Sequence, residues 1–309
     1  MGGASHFPCE KHTPYNAWAM SRAAPRHVTV YGGDHSPWVQ ATLLGLHEKR
    51  IPHTVLTVPP ASVFANSGIL MPAASIDGRA WMLGSGEILA ELGFSKVSPE
   101  DTRAVFRALY GAPQRVDSGP RFWSRWSRVR DGRETLVGRL WNHFLRAFSV
   151  LYFYLMLKSV ARQLKLATPD GPRQFLPWER RLQESGGPFL GGDQPDTLDL
   201  QLFGAVQSLC SIPIPPVAIL QSDPALPRLR EWIGAMHRRF ADYRHLYSGG
   251  AFEPFLPPTE PAPVLERSAF WAGSLFMLIA FPITVPLWAY YMRRVRRTGM
   301  IGIPRAKRS

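Results

Sequence analysis

Between His27 and Val58, two β-branched runs flank one amphipathic run, and that order leaves few ways to fold. The stretch HVTVY at 27–31 alternates and is β-branched, so it predicts a strand. From Pro37 to Lys49, the residues Val39, Leu43 and Leu46 recur at i, i+4 and i+7, which predicts a helix closed by Glu48-Lys49-Arg50. Ile51-Pro52 breaks that pattern, and HTVLTV at 53–58 predicts a second strand. A strand–helix–strand unit of about 30 residues implies parallel strands and a right-handed crossover.

The link between the first strand and the helix reads GDHSPWVQ, which sets Asp34, His35 and Ser36 side by side. Members of a hydrolase triad converge from separate segments, which three consecutive residues cannot do. The Gly-x-Ser-x-Gly elbow of serine hydrolases is also absent around Ser36. Ser36 instead precedes Pro37, and Ser is favoured as a helix cap with Pro at the first helical position. Its hydroxyl then lies at a helix N-terminus, where negative charge is stabilised. A plain cap accounts for Ser36 equally well, and His35 reads as a solvent-facing loop residue.

Further on, a loop with Pro59-Pro60 and the run Gly68 to Met71 lead into Pro72. Asp77-Gly78 between Ala73–Ile76 and Ala80–Leu83 predicts a hairpin. Ser85 is expected to cap a helix over Gly86–Gly93. The remainder is helical in pattern: a capped start at Ser98-Pro99-Glu100-Asp101, a long stretch over 133–166, a helix from Asp196-Thr197-Leu198-Asp199 to Cys210, and an amphipathic helix over 225–246. The fold class is an α/β first domain followed by an all-α domain.

Charge and hydropathy define the C-terminal end. The net charge is +13, and seven basic residues with no acid lie in Arg293–Ser309. They follow Ala269–Met292, an uncharged stretch of 24 residues, where a membrane helix needs about 20. Trp271 lies near one end and Trp288, Tyr290 and Tyr291 near the other, as in an aromatic belt. The segment is expected to cross a membrane, and the cationic tail to favour anionic lipid, so no nucleic acid is expected as a partner. The arginine-flanked Trp123, Trp126 and Trp141 read as a core or membrane-facing surface. Cys9 and Cys210 alone exclude a disulfide framework, and no metal site is expected, His6, Cys9 and His12 lacking a fourth ligand. The expected organisation is a disordered tail at 1–26, an α/β domain at 27–97, a helical domain at 98–248, a Pro-rich linker at 249–268, a transmembrane segment at 269–292 and a basic tail at 293–309. No apolar signal region is visible at the start, so the globular part is expected to be cytoplasmic. The basic residues after the segment oppose a simple crossing. Insertion of the tail, or a proline-bent hairpin with both ends inside, would meet that conflict.

Four local motifs in this order resemble the cytosolic glutathione transferase superfamily of the serine type, over roughly Val28 to Tyr247. Ser36-Pro37-Trp38 is similar to the family's Ser-Pro-aromatic motif at the first helix. Met71-Pro72 lies where the family carries Val-Pro with a cis-proline, with Asn66 at the spacing of its Asn-Pro. Asp77-Gly78, Ser85 and Ile88 are similar to Asp-Gly…Glu-Ser-x-x-Ile. The run FLGGDQPDTLD at 189–199 is similar to the family's FLxGxxPSxAD signature, with Asp196 as N-cap and Asp199 as the third helical residue.

The resemblance implies a thioredoxin-like first domain, a dimer-forming family and glutathione as co-substrate. Glutathione's thiol has a pKa near that of free cysteine, about 8.5, and its thiolate is the nucleophile. By the resemblance, Ser36 is the catalytic residue that donates a hydrogen bond to the thiolate. The backbone of Met71, before Pro72, would pair with the tripeptide, and Ser85 would hold the γ-glutamyl carboxylate. The implied activity is conjugation of glutathione to a hydrophobic electrophile, a detoxification chemistry, by a membrane-anchored protein. Two residues depart from the pattern: Gly84 stands where the family has Glu or Asp, and Leu70 where Lys or Gln is common. One extra residue between Pro72 and Asp77 predicts a bulge. The alternative is a non-catalytic adaptor of the same fold tethered to a membrane, an architecture similar to the metaxins and the ganglioside-induced differentiation-associated proteins.

Overall fold

The computed structural model describes residues 27–33, 36–111, 135–148, 175–210, 220, 222–243 and 263–298. Strand β1 is Val28–Tyr31, helix α1 is Pro37–Glu48 and strand β2 is His53–Leu56. β1 and β2 pair in parallel with Tyr31 opposite Leu56, as the crossover requires. β2 ends at Leu56 rather than Val58 because β1, its neighbour, ends at Tyr31. A short helix α2, Ala61–Ser67, follows where the sequence predicts only a loop. Only Val63 and Ser67 of α2 are buried, so it carries no apolar stripe to read.

β3, Ala73–Ile76, runs antiparallel to β1, and β4, Met82–Leu83, antiparallel to β3. The order β2-β1-β3-β4, with cis Met71-Pro72 leading into β3, is the thioredoxin-like arrangement the resemblance implies. The expected bulge is absent: the register from Val28–Ile76 to Tyr31–Ala73 is unbroken. β4 is shorter than expected because the N–H of Arg79 donates to the Ile76 carbonyl at 3.0 Å. That bond closes a tight turn with Asp77 at φ 50° and Gly78 at φ 72°, the pair of positive angles a type I′ turn needs. Helix α3 is Ser85–Glu91, and its cap is Gly84 at φ 97°; Ser85 is the first helical residue rather than the cap.

The helical domain contains α4 (Pro99–Gly111), α5 (Leu136–Phe148), α6 (Leu176–Glu184), α7 (Thr197–Cys210) and α8 (Pro227–Arg239) among the described residues. Ser98 caps α4 as expected, accepting the Asp101 N–H at 3.0 Å. Helix α9, Val264–Thr298, brackets the expected 269–292 segment and runs unbroken through Pro282 and Pro286. It is long and apolar enough to cross a membrane, and it is one continuous helix, not a bent hairpin. The tail at 1–26, Asp34, His35, Trp123, Trp126, the rest of the 133–166 stretch, most of the Pro-rich linker and the residues after Thr298 lie outside the described residues.

One apolar core joins the two domains, with Val30, Leu43 and Ile88 from the first and Leu200, Phe203 and Trp232 from the second. The spacing of Val39, Leu43 and Leu46 predicts one buried face of α1, yet every residue from Val39 to Leu46 is buried. The second face packs on α7, and small residues permit it. A Cβ added at Gly204 would collide with the Pro37 carbonyl oxygen, and one at Gly45 would meet Leu89 and Leu200.

The start of α7 is held by two carboxylates. Asp196 Oδ1 accepts the Leu198 N–H at 2.8 Å, which makes it the N-cap. Asp199 is fully buried and accepts N–H bonds from Leu190 (2.8 Å), Gly191 (3.0 Å), Asp196 (3.1 Å) and the Trp232 indole (2.7 Å). It therefore ties the 189–192 turn and α8 to α7. Burial pushes the Asp199 carboxyl up to about 6, against the pull of its N–H donors. The native state then takes up this proton before the unfolded chain does. The group's contribution to stability is full below about pH 4 and is lost as pH rises through about 6. Asp199→Ala strands several buried donors and is expected to cost about 3 kcal/mol in urea unfolding. It should also flatten the stability change between about pH 4 and 6.

Candidate functional site

The sheet register brings distant parts of the chain to one edge. Tyr31 pairs with Leu56 and Ala73, and Ala73 pairs with Leu83, so all four stand in one row. β1 and β4 end at that row and β3 begins there. Residues 32–33 and 36, the segment 68–72 and residues 84–85 therefore emerge together. Those segments carry Ser36, Met71, Pro72 and Ser85, the four residues singled out from the sequence.

Each of the four has a defined local setting. Ser36 is the N-cap of α1 with extended backbone, and its side chain makes no cap hydrogen bond. Its carbonyl accepts the Gln40 N–H at 2.9 Å, and its own N–H donates to Gly33 O at 3.0 Å. The hydroxyl thus stands at the helix end without serving the helix. Met71 approaches the same loop through sulfur: the Gly33 N–H donates to Met71 Sδ at 3.3 Å. The Pro72 carbonyl accepts the Gly84 N–H at 2.9 Å, which joins the cis-proline turn to the start of α3. Gly32, at φ 152°, lies tight against Val39 and Met71, where a Cβ would clash.

Ser85 has a different setting from the open anion-binding hydroxyl the resemblance implies. It is 4% exposed, and its Oγ accepts an N–H from the Gln201 amide of α7 at 3.1 Å. Gly84 sits at φ 97°, a conformation that strains an L side chain, so the backbone itself favours glycine there. Leu70 donates its N–H to Ser67 O at 3.3 Å, and its side chain packs against the cluster of Tyr31, Val63, Ala73 and Leu83. Tyr31 donates its hydroxyl to Ile69 O at 3.3 Å, and burial raises its pKa.

Sequence reasoning missed Gln201, the ring pair of Trp38 and Phe106 with centroids 4.6 Å apart, and Arg294. Arg294 of α9 donates to Ala65 O at 3.1 Å and to Asn66 Oδ1 at 3.2 Å, reaching α2 from the far end of the chain. One signal was available: Gln201 interrupts an otherwise apolar run in α7. Trp38, two residues after Ser36 on α1, and Phe106 of α4 form a partly buried aromatic pair.

No protein-family model matches the chain, and neither does any curated protein. Among solved structures, it is similar to a theta-class glutathione S-transferase from Xanthomonas axonopodis pv. citri with glutathione bound. Identity there is 17%, with 73% of this chain and 99% of that one covered and a TM-score of 0.39. A glutathione transferase from Populus trichocarpa matches at 17% identity, covering 71% of this chain and 95% of that one, with a TM-score of 0.37. A glutathione S-transferase from Pseudomonas fluorescens matches at 15% identity, covering 72% and 98%, with a TM-score of 0.38.

The Ser85–Gln201 bond gives a direct test of how this edge is held. Ser85→Ala leaves the Gln201 amide buried without its acceptor and is expected to cost about 1 kcal/mol. Adding Gln201→Leu removes the stranded group, so the double variant should melt at a higher temperature than Ser85→Ala alone.

Proposed function

We propose that this chain is a membrane-anchored glutathione transferase-like protein that joins the glutathione thiolate to a hydrophobic electrophile. The observation that carries the reading is the convergence of Ser36, Met71-Pro72 and Ser85 on one sheet edge, with the Ser36 hydroxyl unused as a cap. Ser36 would donate a hydrogen bond to the cysteinyl sulfur, and the N-terminus of α1 would add its positive end. Both favour the thiolate over the thiol. The sulfur lone pair then forms a bond to the electrophilic carbon, and the leaving group departs with its electron pair. Met71 would offer its backbone N–H and C=O to the tripeptide. Trp38 and Phe106 supply an apolar wall for the second substrate. The body is assigned to the cytoplasmic face, with α9 as the tether.

A second reading, a non-catalytic adaptor of the same fold, draws on two observations. Ser85 is buried with its hydroxyl held by Gln201, and Gly84 and Leu70 remove two polar groups that family members use. Calorimetry on the full chain in mild detergent separates the two. The transferase reading expects glutathione to bind in the micromolar-to-millimolar range. Ser36→Ala should then lower kcat/KM on the order of tenfold or more, the value of a hydrogen bond to a charged group. A folded, monodisperse chain that releases no heat favours the adaptor. Gly84→Glu tests the departure itself: it should tighten glutathione binding while lowering the melting temperature, because the new side chain sits at positive φ.

A further inference from the structure

Helix α9 returns to the globular body at its C-terminal end. The Tyr291 ring lies against Gly68 and 6.0 Å from the Phe64 ring, and Arg294 is bonded to Ala65 and Asn66. These four partners belong to α2 and the turn after it, one flank of the thioredoxin-like sheet. The chain leaves the same body at Tyr243, which is part of the shared core. The segment between, 244–262, carries Arg244, Glu253, Glu260 and four prolines and has no apolar run of membrane length. A spanning helix begins on one face of a bilayer and ends on the other. Here the C-terminal end touches the body through Arg294, and the first turn touches it too, through Glu266 with His143 and Arg139 of α5. Both ends of α9 are therefore on the body's side.

From Glu266 to Met277 the helix has two unlike faces, and beyond Met277 none of its described residues is buried. Glu266, Gly273, Ser274 and Met277 are buried. Glu266 meets His143 at 2.8 Å and Arg139 at 3.0 Å, and a Cβ on Gly273 would collide with the Phe144 carbonyl of α5. On the opposite side, Trp271, Leu275, Leu278, Ile279, Ile283 and Tyr290 fall on one helical stripe, and all are exposed, Ile279 by 71% and Ile283 by 74%. An apolar stripe of this length facing water is a liability unless something covers it. Arg267 stands at one end and Arg293, Arg294, Arg296 and Arg297 at the other, with no acidic residue from Arg267 to Ser309. An apolar face between basic ends matches the interface of an anionic lipid surface.

We infer that α9 lies in the plane of the membrane, docked on the body through α5 and α2, and sinks its outward stripe into a single anionic leaflet without crossing it. This rests on the membrane-tether reading and specifies its geometry. It also places the basic tail on the body's side, where the charge rule puts it. The sheet edge with Ser36 then rides beside the lipid surface, because α2 leads into the 68–72 turn.

The test uses the full chain mixed with preformed phosphatidylcholine vesicles containing phosphatidylglycerol. The expected result is that the protein floats with the vesicles and that added trypsin removes the tail beyond Arg293 equally fast with and without detergent. Ile279→Glu with Ile283→Glu, both at exposed positions, should weaken flotation at least tenfold while leaving the circular dichroism spectrum unchanged. A tail protected until detergent is added, on a chain that floats, would overturn the in-plane geometry and leave the tether standing. Undiminished flotation of the double variant would overturn it too. A chain that does not float at all would sink the tether reading itself.

Discussion

The close approach of α1 to α7 is the contact on which the rest of this structure depends. α1 is buried on two sides, by the sheet and by α7, and only small residues allow it. Gly204 lets the α7 backbone reach the Pro37 carbonyl, and Gly45 makes room for Leu89 and Leu200. A bulkier residue at Gly204 would push on the first turn of α1, next to Ser36. The geometry of the candidate site is thus set from the second domain. Asp196 and Asp199 act one step earlier, since they fix where α7 begins and tie it to α8 through Trp232. Four N–H donors on one buried carboxylate make that start rigid, and burial works against them by raising the carboxyl's pKa.

The site edge combines polar helix starts with apolar packing. The cis Met71-Pro72 turn, the Ser36-Pro37 helix start and the α3 start are all present and converge. Gly84 relieves a positive φ, Leu70 packs in an apolar cluster, and Ser85 faces Gln201. These contacts favour stability of the edge over charge recognition at it. The same edge has α9 as a neighbour, because Arg294 and Tyr291 pack on α2. The candidate site and the C-terminal helix are therefore mechanically adjacent in this chain.

Much of the first domain was legible in the residues. The β-branched runs and the Val39, Leu43, Leu46 spacing mark β1, α1 and β2, because each pattern has the period of its element. Asp77-Gly78 marks a turn that requires positive φ at both positions. Asp196-x-x-Asp199 marks a helix start, since the capping bonds from Leu198 and Asp199 to Asp196 are local. Helix α2 was not legible, having just two buried residues and Pro60 in front of it. The role of Ser85 was misplaced by one residue, because Ser reads as a cap wherever a helix starts, while here Gly84 alone fits the backbone angle.

The sequence by itself determined the order of elements, the parallel crossover, the helix start at Asp196 and the presence of a membrane-length apolar segment. These depend on neighbours within a few positions, where steric and hydrogen-bond preferences are local. Only the tertiary structure decided that Ser85 meets Gln201, that Gly204 seats on Pro37, and that the C-terminal helix runs back to α2. Such contacts join residues more than a hundred positions apart. They follow from how whole faces pack against one another, and no short window of residues carries that information.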